Sequence, residues 1–272
     1  MSNPTIGPLP LPAICYPRPM AEMTERLLVD AGVVHGMRVL DVGCGRGDVS
    51  ILLARLVGER GEVLGVDRDP NPLTVARERV RELGLTNVSF TECDFAALSA
   101  EHGLFDAAVG RRVLMYQADP VLALRGLVRV LRPGALVVFQ EADATMVPAS
   151  RVPLPLNARV NHWVWQTVER EGGNLHMGFD LASALEQAGL VVGEVRAEAI
   201  VQTPKSRHPV GMIVRAMLPR ILAHGVATEA EIDVETLDQR LAEECESVNA
   251  TYVGDMAFGA WAHVPAPTTP EG

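Results

Sequence analysis

Val39-Leu40-Asp41-Val42-Gly43-Cys44-Gly45-Arg46-Gly47 decides the fold of this chain: an apolar strand runs into glycines at alternate positions, and Asp67 follows 20 residues after the last of them. The run from Met37 to Val42 reads as a buried strand, and from Asp48 onward Val49, Ile51, Leu52, Leu53 and Leu56 fall at helical spacing. The glycines therefore occupy a strand-to-helix turn. There, absent side chains let backbone N–H groups approach a ligand closely, and positive φ costs little. Such a turn suits a nucleoside cofactor. A dinucleotide fingerprint, G-x-G-x-x-G, would place its third glycine at position 48, which is Asp. The order found instead is Asp-x-Gly-x-Gly-x-Gly, from Asp41 through Gly43 and Gly45 to Gly47.

The following segments continue the pattern. Glu62 to Asp67 reads as a second strand ending in an acid, and a carboxylate at that point can accept hydrogen bonds from both hydroxyls of a ribose. Asn87 to Glu92 reads as a third strand running into Cys93-Asp94-Phe95, and Phe105 to Gly110 as a fourth. Val130-Leu131-Arg132-Pro133-Gly134 then turns into a fifth, Ala135 to Glu141. This succession resembles the class I S-adenosylmethionine-dependent methyltransferases, bacterial small-molecule enzymes in particular, well over about the first 200 residues and loosely beyond. The resemblance implies an α/β fold, a Rossmann-like doubly wound sheet of about seven strands with the last antiparallel and with helical cap insertions. It also implies S-adenosyl-L-methionine as cofactor and S-adenosyl-L-homocysteine as product. On the same ground Asp41, Gly43, Cys44, Gly45 and Gly47 form the cofactor turn, Asp67 reads the ribose, and Arg68 beside it belongs to the cofactor site. Cys93, Asp94 and Phe95 meet the adenine, and Gly110 and Arg111 approach the methionine part. Taken singly, Asp67 or Asp94 would serve equally as the cap of a following helix.

With 272 residues, 48% of them hydrophobic, the chain can bury a large core and fits one elaborated domain better than two. Its net charge, 24 minus 34 or −10, comes with no basic run, so a nucleic-acid partner is not expected. Cys15, Cys44, Cys93 and Cys245 lack C-x-x-C spacing, which suggests neither a zinc site nor a disulfide framework and suits a reducing cytoplasm. Met1 to Pro19 is proline-rich and does not read as a secretory signal. No run approaches the roughly 18 to 20 apolar residues of a membrane span. The expected partner is a small-molecule substrate, and a homodimer is left open.

The expected organisation is a lead segment (1–19), a cofactor-binding core (20–145), a cap insertion (146–178), the core continued (179–201), a second helical cap (202–250), a final strand (251–264) and a flexible tail (265–272). The first cap opens with Pro148, Pro153 and Pro155 and continues as a helix from about Leu156 to Glu171. The second has helical periodicity over Pro209 to Ala223 and Glu229 to Asn249. The carboxyl ends of parallel strands face the crevice of such a fold. Both caps and the leading helix, Met20 to Ala31, should gather above it and enclose a small-molecule site.

Candidate substrate-side groups are Tyr16, Tyr116, Glu141, His162, Trp163, Trp165 and His176, with Glu141, His162 and Tyr16 the candidates for catalysis. His162 titrates in the range useful for proton transfer, although a lone helical histidine serves equally at a surface. Glu141 ends the fifth strand near the expected methyl position and is equally suited to orient a loop or pair with an arginine. Trp163 and Trp165, two apart on a helix, cannot both face one side. No clustered oxygen ligands stand out for a metal, so metal-independent transfer is expected. The expectation is in-line methyl transfer to a small acceptor of specialised metabolism, such as antibiotic biosynthesis. A planar heteroaromatic such as an indole, methylated on carbon or nitrogen, is favoured by the tryptophans of the cap. The alternatives are an O-methyltransferase with His162 or Glu141 as general base, a nicotinamide oxidoreductase, and a catalytically silent cofactor-binding regulator.

Overall fold

The computed structural model describes residues 18–94, 97–99, 103–145, 149–205 and 210–266. The first five strands are β1 (Arg38–Val42), β2 (Glu62–Asp67), β3 (Val88–Glu92), β4 (Phe105–Arg111) and β5 (Leu131–Ala142). They lie parallel in the order β3-β2-β1-β4-β5. Two long strands, β7 (Val191–Gln202) and β8 (Tyr252–His263), complete the sheet, with β8 antiparallel to both β5 and β7. An eighth strand, the two-residue β6 (Ala149–Ser150), pairs with Tyr252 and Val253 beyond the end of β5. It is the strand beyond the seven expected.

The central strands are apolar in continuous runs because both faces are covered. Val39, Val63, Ala107, Val109, Leu136 and Val138 pack under α1 (Arg18–Ala31) and α2 (Asp48–Val57). Their alternate neighbours Leu40, Val42, Leu64, Ala108, Val137 and Phe139 face the other layer, which includes α4 (Pro120–Val128) and α6 (Met177–Gln187). A third helix, α3 (Pro70–Glu82), packs on β3.

The caps are α5 (Pro155–Arg170), α7 (Gly211–Ala223), the single turn α8 (Glu229–Ile232) and α9 (Leu237–Ser247). Val160, Trp163, Val214, Ile221 and Leu237 join the same buried cluster as the sheet face above α4 and α6, so sheet and caps share one core. Glu244 of α9 ties the caps together: its carboxylate accepts the otherwise orphaned N–H groups of Leu156 and Asn157 at the start of α5, at 2.6 and 3.0 Å. The helix expected over Glu229 to Asn249 is two helices, because Asp233 takes a left-handed backbone (φ 41°) after a Thr228–Glu231 capping box and ends α8 there. No helix among the described residues is long and apolar enough to cross a membrane.

Candidate functional site

The parallel sheet reverses its winding between β1 and β4, and the crevice of such a sheet opens at the carboxyl ends of those strands. Gly43, Gly45 and Gly47 all adopt positive φ there (64°, 52° and 80°). A Cβ on Gly43 would stand 2.5 Å from the Val113 side chain, and one on Gly47 would stand 3.1 Å from Phe90 and Ala76, so the turn closes only with glycine. The turn is held from three sides. Gly45 N–H donates to Asp67 at 2.8 Å, Arg79 of α3 donates to the Arg46 carbonyl at 2.6 Å, and Arg79 pairs with Asp48 at 2.8 Å. Asp48, the residue that breaks the dinucleotide pattern, is thereby an anchor of the turn.

A polar cleft of about 650 Å³ opens beside it, lined by Gly43, Asp67, Arg68, Cys93, Asp94 and, on the far side, Arg112, Tyr116, Gln117, Glu171 and Arg220. Asp67 accepts from the amides of Gly45 and Asp69, at 2.8 and 3.0 Å. A carboxylate has about four acceptor positions, so two remain for a pair of ribose hydroxyls. The far wall is braced across the caps. Glu171, which ends α5, forms an ion pair with Arg220 of α7, and Arg220 donates at 3.2 Å to the Tyr116 hydroxyl while stacking 5.6 Å from its ring centre. That pairing holds the Glu171 carboxyl below its ordinary pKa.

A second cavity, narrow and mainly apolar, adjoins the first. Its walls include Met20, Met115, Met217, Val160, Trp165 and Tyr252, with Asn157, Asn161 and Gln202 as polar points. Arg112 and Tyr116 line both cavities and form their common wall. Among the described residues, the lining of the second cavity contains no carboxylate and no imidazole.

Several candidates from the sequence sit elsewhere. Asp41 is 1% exposed beneath the glycine turn and accepts the Ser50 hydroxyl, and burial raises its carboxyl pKa to about 7. Cys44 is buried against β2, and burial pushes its thiol pKa up, so its side chain faces away from the cleft. Burial and the neighbouring Asp94 likewise raise that of Cys93, which does line the cleft. Gly110 is packed against Phe139, and the Arg111 guanidinium turns toward Thr24 of α1 at 3.3 Å; it is Arg112 that reaches the cavities.

Glu141 is 1% exposed and lines neither cavity. One of its carboxylate oxygens accepts the N–H groups of Val113 and Leu114 at 3.0 and 2.9 Å, while the other finds no hydrogen-bond partner among the described residues. Burial raises its pKa to about 7, against the pull of those amides and of Arg112. It orients the loop after β4, the second of the roles its position allowed. His162 is exposed on α5, because its neighbour Trp163 points inward to the core and Trp165 to the second cavity. His176 precedes α6 with its side chain 62% exposed, near Thr145 and Asp143, and lines neither cavity. Tyr16 and Phe95 lie outside the described residues. Glu171 and Arg220, which the sequence analysis did not single out, complete the cleft from segments that carry no local motif.

A glycine-lined cleft with a two-acceptor carboxylate, at the winding reversal of a doubly wound sheet whose last strand is antiparallel, defines a nucleoside-cofactor enzyme of Rossmann-like architecture. Residues 34–189 match the family described as "Methyltransferase domain", and the chain belongs to that family, in its class I S-adenosylmethionine-dependent form. Demethylmenaquinone methyltransferase of Staphylococcus aureus (strain MRSA252) is 37% identical over 124 residues, 46% of this chain and 51% of that protein. The chain thus spans about half the length of the curated relatives it matches. Among solved structures, a SAM-dependent methyltransferase from Aquifex aeolicus superposes with TM-score 0.53 at 20% identity, covering 88% of each chain. The [4+2]-cyclase SpnF superposes with TM-score 0.56 at 21% identity, covering 90% of this chain and 82% of that one. At these identities the structural likeness speaks for the fold. The cofactor of the family, S-adenosylmethionine, fits the chain's own geometry: the turn leaves room where a Cβ would clash, and Asp67 lines the cleft with one amide on each carboxylate oxygen and acceptor capacity to spare.

Proposed function

We propose that the chain transfers a methyl group from S-adenosylmethionine to a small, largely apolar acceptor bound in the second cavity. The observation that carries this is the common wall: Arg112 and Tyr116 border both the polar cofactor cleft and the apolar cavity, so donor and acceptor would meet there. Bound in the cleft, the cofactor would supply a methyl group on a sulfonium: the acceptor bonds to that carbon in line as the S–CH3 bond breaks and the neutral thioether leaves with the electron pair. The protein's part is to hold two reactants in line and close together, an effect worth about 7 to 11 kcal/mol in favourable cases. Asp67 reads the ribose, Asp94 the adenine, and the Glu171–Arg220 pair fixes the cap over the junction. Tyr116, Trp165 and Tyr252 supply aromatic surface for a planar ring such as an indole.

Carbon or nitrogen as the accepting atom is favoured over oxygen. A neutral amine needs no base, and an electron-rich ring carbon loses its proton after attack, whereas a hydroxyl calls for a base. His162 is exposed, and Glu141 is occupied by the loop amides. A silent cofactor-binding protein is the alternative from another class, since the [4+2]-cyclase SpnF shares the fold without being named for methyl transfer. Calorimetric titration with S-adenosylmethionine, S-adenosylhomocysteine and NADH tests the cofactor. Transfer of radiolabelled methyl to a panel of indoles, phenols and amines tests the reaction. Binding of the first two ligands with transfer to ring carbon or nitrogen is expected. Binding of NADH alone would overturn the cofactor assignment, and tight cofactor binding with no transfer would favour the silent alternative.

A further inference from the structure

Arg112 carries a charge that no described side chain pairs with. Its side chain lines both cavities, yet among the described residues it makes no hydrogen bond or ion pair. Its field reaches the buried Glu141, but the two do not bond. Two of the nearby cations are engaged: Arg111 reaches Thr24, and Arg220 is held by Glu171. Toward the described residues, this half-buried guanidinium beside an apolar cavity therefore keeps its donors unspent.

The backbone adds a second, independent observation. Arg112 has φ 55°, and the other non-glycine residues at positive φ among those described are Asp233 and Asn249, residue types that tolerate this region. An arginine there has to be held. Its own N–H donates to the Gln140 carbonyl at 2.8 Å, and the next two amides donate to Glu141. Two residues of β5 thus force the left-handed turn that aims the side chain into the junction. Glycine would meet the backbone demand with less strain, so the side chain is what the position gains from arginine, and strain of this kind gathers at binding sites.

We propose that Arg112 binds a carboxylate on the acceptor, so that the substrate is an apolar ring system bearing an acidic group close to the methylated atom. A planar guanidinium matches a carboxylate through two parallel hydrogen bonds. The apolar remainder of the cavity takes the ring, and the fixed charge sets which atom faces the donor. This rests on the methyl-transfer reading above. The same chemistry could be claimed by the methionine carboxylate of the cofactor, and the test separates the two.

The probes are indole-3-acetate and its neutral counterpart 3-ethylindole, titrated calorimetrically into protein saturated with S-adenosylhomocysteine. The variants are Arg112→Gly, which relaxes the backbone and so keeps the fold, and Arg112→Lys, which keeps the charge. In the wild type the anionic probe should bind about ten- to hundredfold more tightly than the neutral one. Arg112→Gly should abolish that preference while leaving affinities for the neutral probe and for S-adenosylhomocysteine unchanged, and Arg112→Lys should restore part of it. Equal binding of the two probes, or no binding of the anionic one, overturns the proposal. So does a loss of S-adenosylhomocysteine affinity in Arg112→Gly, which would give the guanidinium to the cofactor. If the wild type fails to bind S-adenosylhomocysteine at all, the methyl-transfer reading falls, and that result is recorded before either probe is added.

Discussion

Glu141→Gln separates a structural carboxylate from a catalytic base. Burial moves the Glu141 carboxyl from 4.5 to about 7. At about 1.4 kcal/mol per pH unit between the folded and unfolded values, charging it in the folded protein costs about 3 kcal/mol. The sign follows from the direction of the change. Between pH 4.5 and about 7 the folded protein keeps a proton that the unfolded chain has released. The associated stability is fully present below the unfolded value and is lost as pH rises through the folded one. Glutamine imitates the protonated acid: its carbonyl can accept the Val113 and Leu114 amides, and its NH2 takes the place of the unpartnered oxygen.

Urea unfolding of wild type and variant should therefore give a stability difference that shifts in the variant's favour by about 2 to 3 kcal/mol between about pH 5 and about pH 8. Asp41, raised to about 7 by burial, weakens the fold over the same range, but it is present in both proteins and cancels in the difference. A difference that stays constant with pH would refute the placement of Glu141 as a buried, loop-holding acid. Methyl transfer supplies the second readout. Loss of a general base costs about 10²- to 10⁴-fold in rate, whereas a residue that only holds the loop can be replaced by glutamine with turnover kept within about tenfold.

Three further substitutions test the site, two in the cleft and one outside it. Asp67→Ala should weaken S-adenosylhomocysteine binding by about 1.5 to 3 kcal/mol, the range for hydrogen bonds to a charged group, with the fold intact; calorimetry and circular dichroism check both, and unchanged affinity would remove Asp67 as the ribose reader. Gly43→Ala combines φ 64° with a Cβ 2.5 Å from Val113, so it should lower stability by about 1 to 3 kcal/mol and abolish measurable cofactor binding, as thermal unfolding with and without ligand would show. His162→Ala, on the exposed face of α5, should leave the pH–rate profile unchanged; a lost limb near neutral pH would restore the imidazole to the mechanism.

The sheet was legible because its determinants are local. Doubly covered strands must be largely apolar, and Val39, Leu40 and Val42, then Val63, Leu64 and Val66, then Leu136 to Phe139 carry that demand in their own sequence. The glycine turn was legible for the same reason, since positive φ at Gly43, Gly45 and Gly47 is a property of the residue. The break at Asp233 was hidden because apolar periodicity runs on from α8 into α9 while the left-handed stop lies in one residue. The wall of the cleft is of another kind. Glu171 and Arg220 meet across 49 positions, and Asp48 finds Arg79 only because α3 folds back over the turn. Between Arg111 and Arg112 the sequence offers no choice at all. The choice is made by the Gln140 carbonyl and the Glu141 carboxylate on the neighbouring strand, which turn one arginine left-handed into the junction while its neighbour reaches α1. The glycine turn rests on backbone conformation and so leaves a motif; the wall between the two cavities rests on side chains brought together by register, which no single segment encodes.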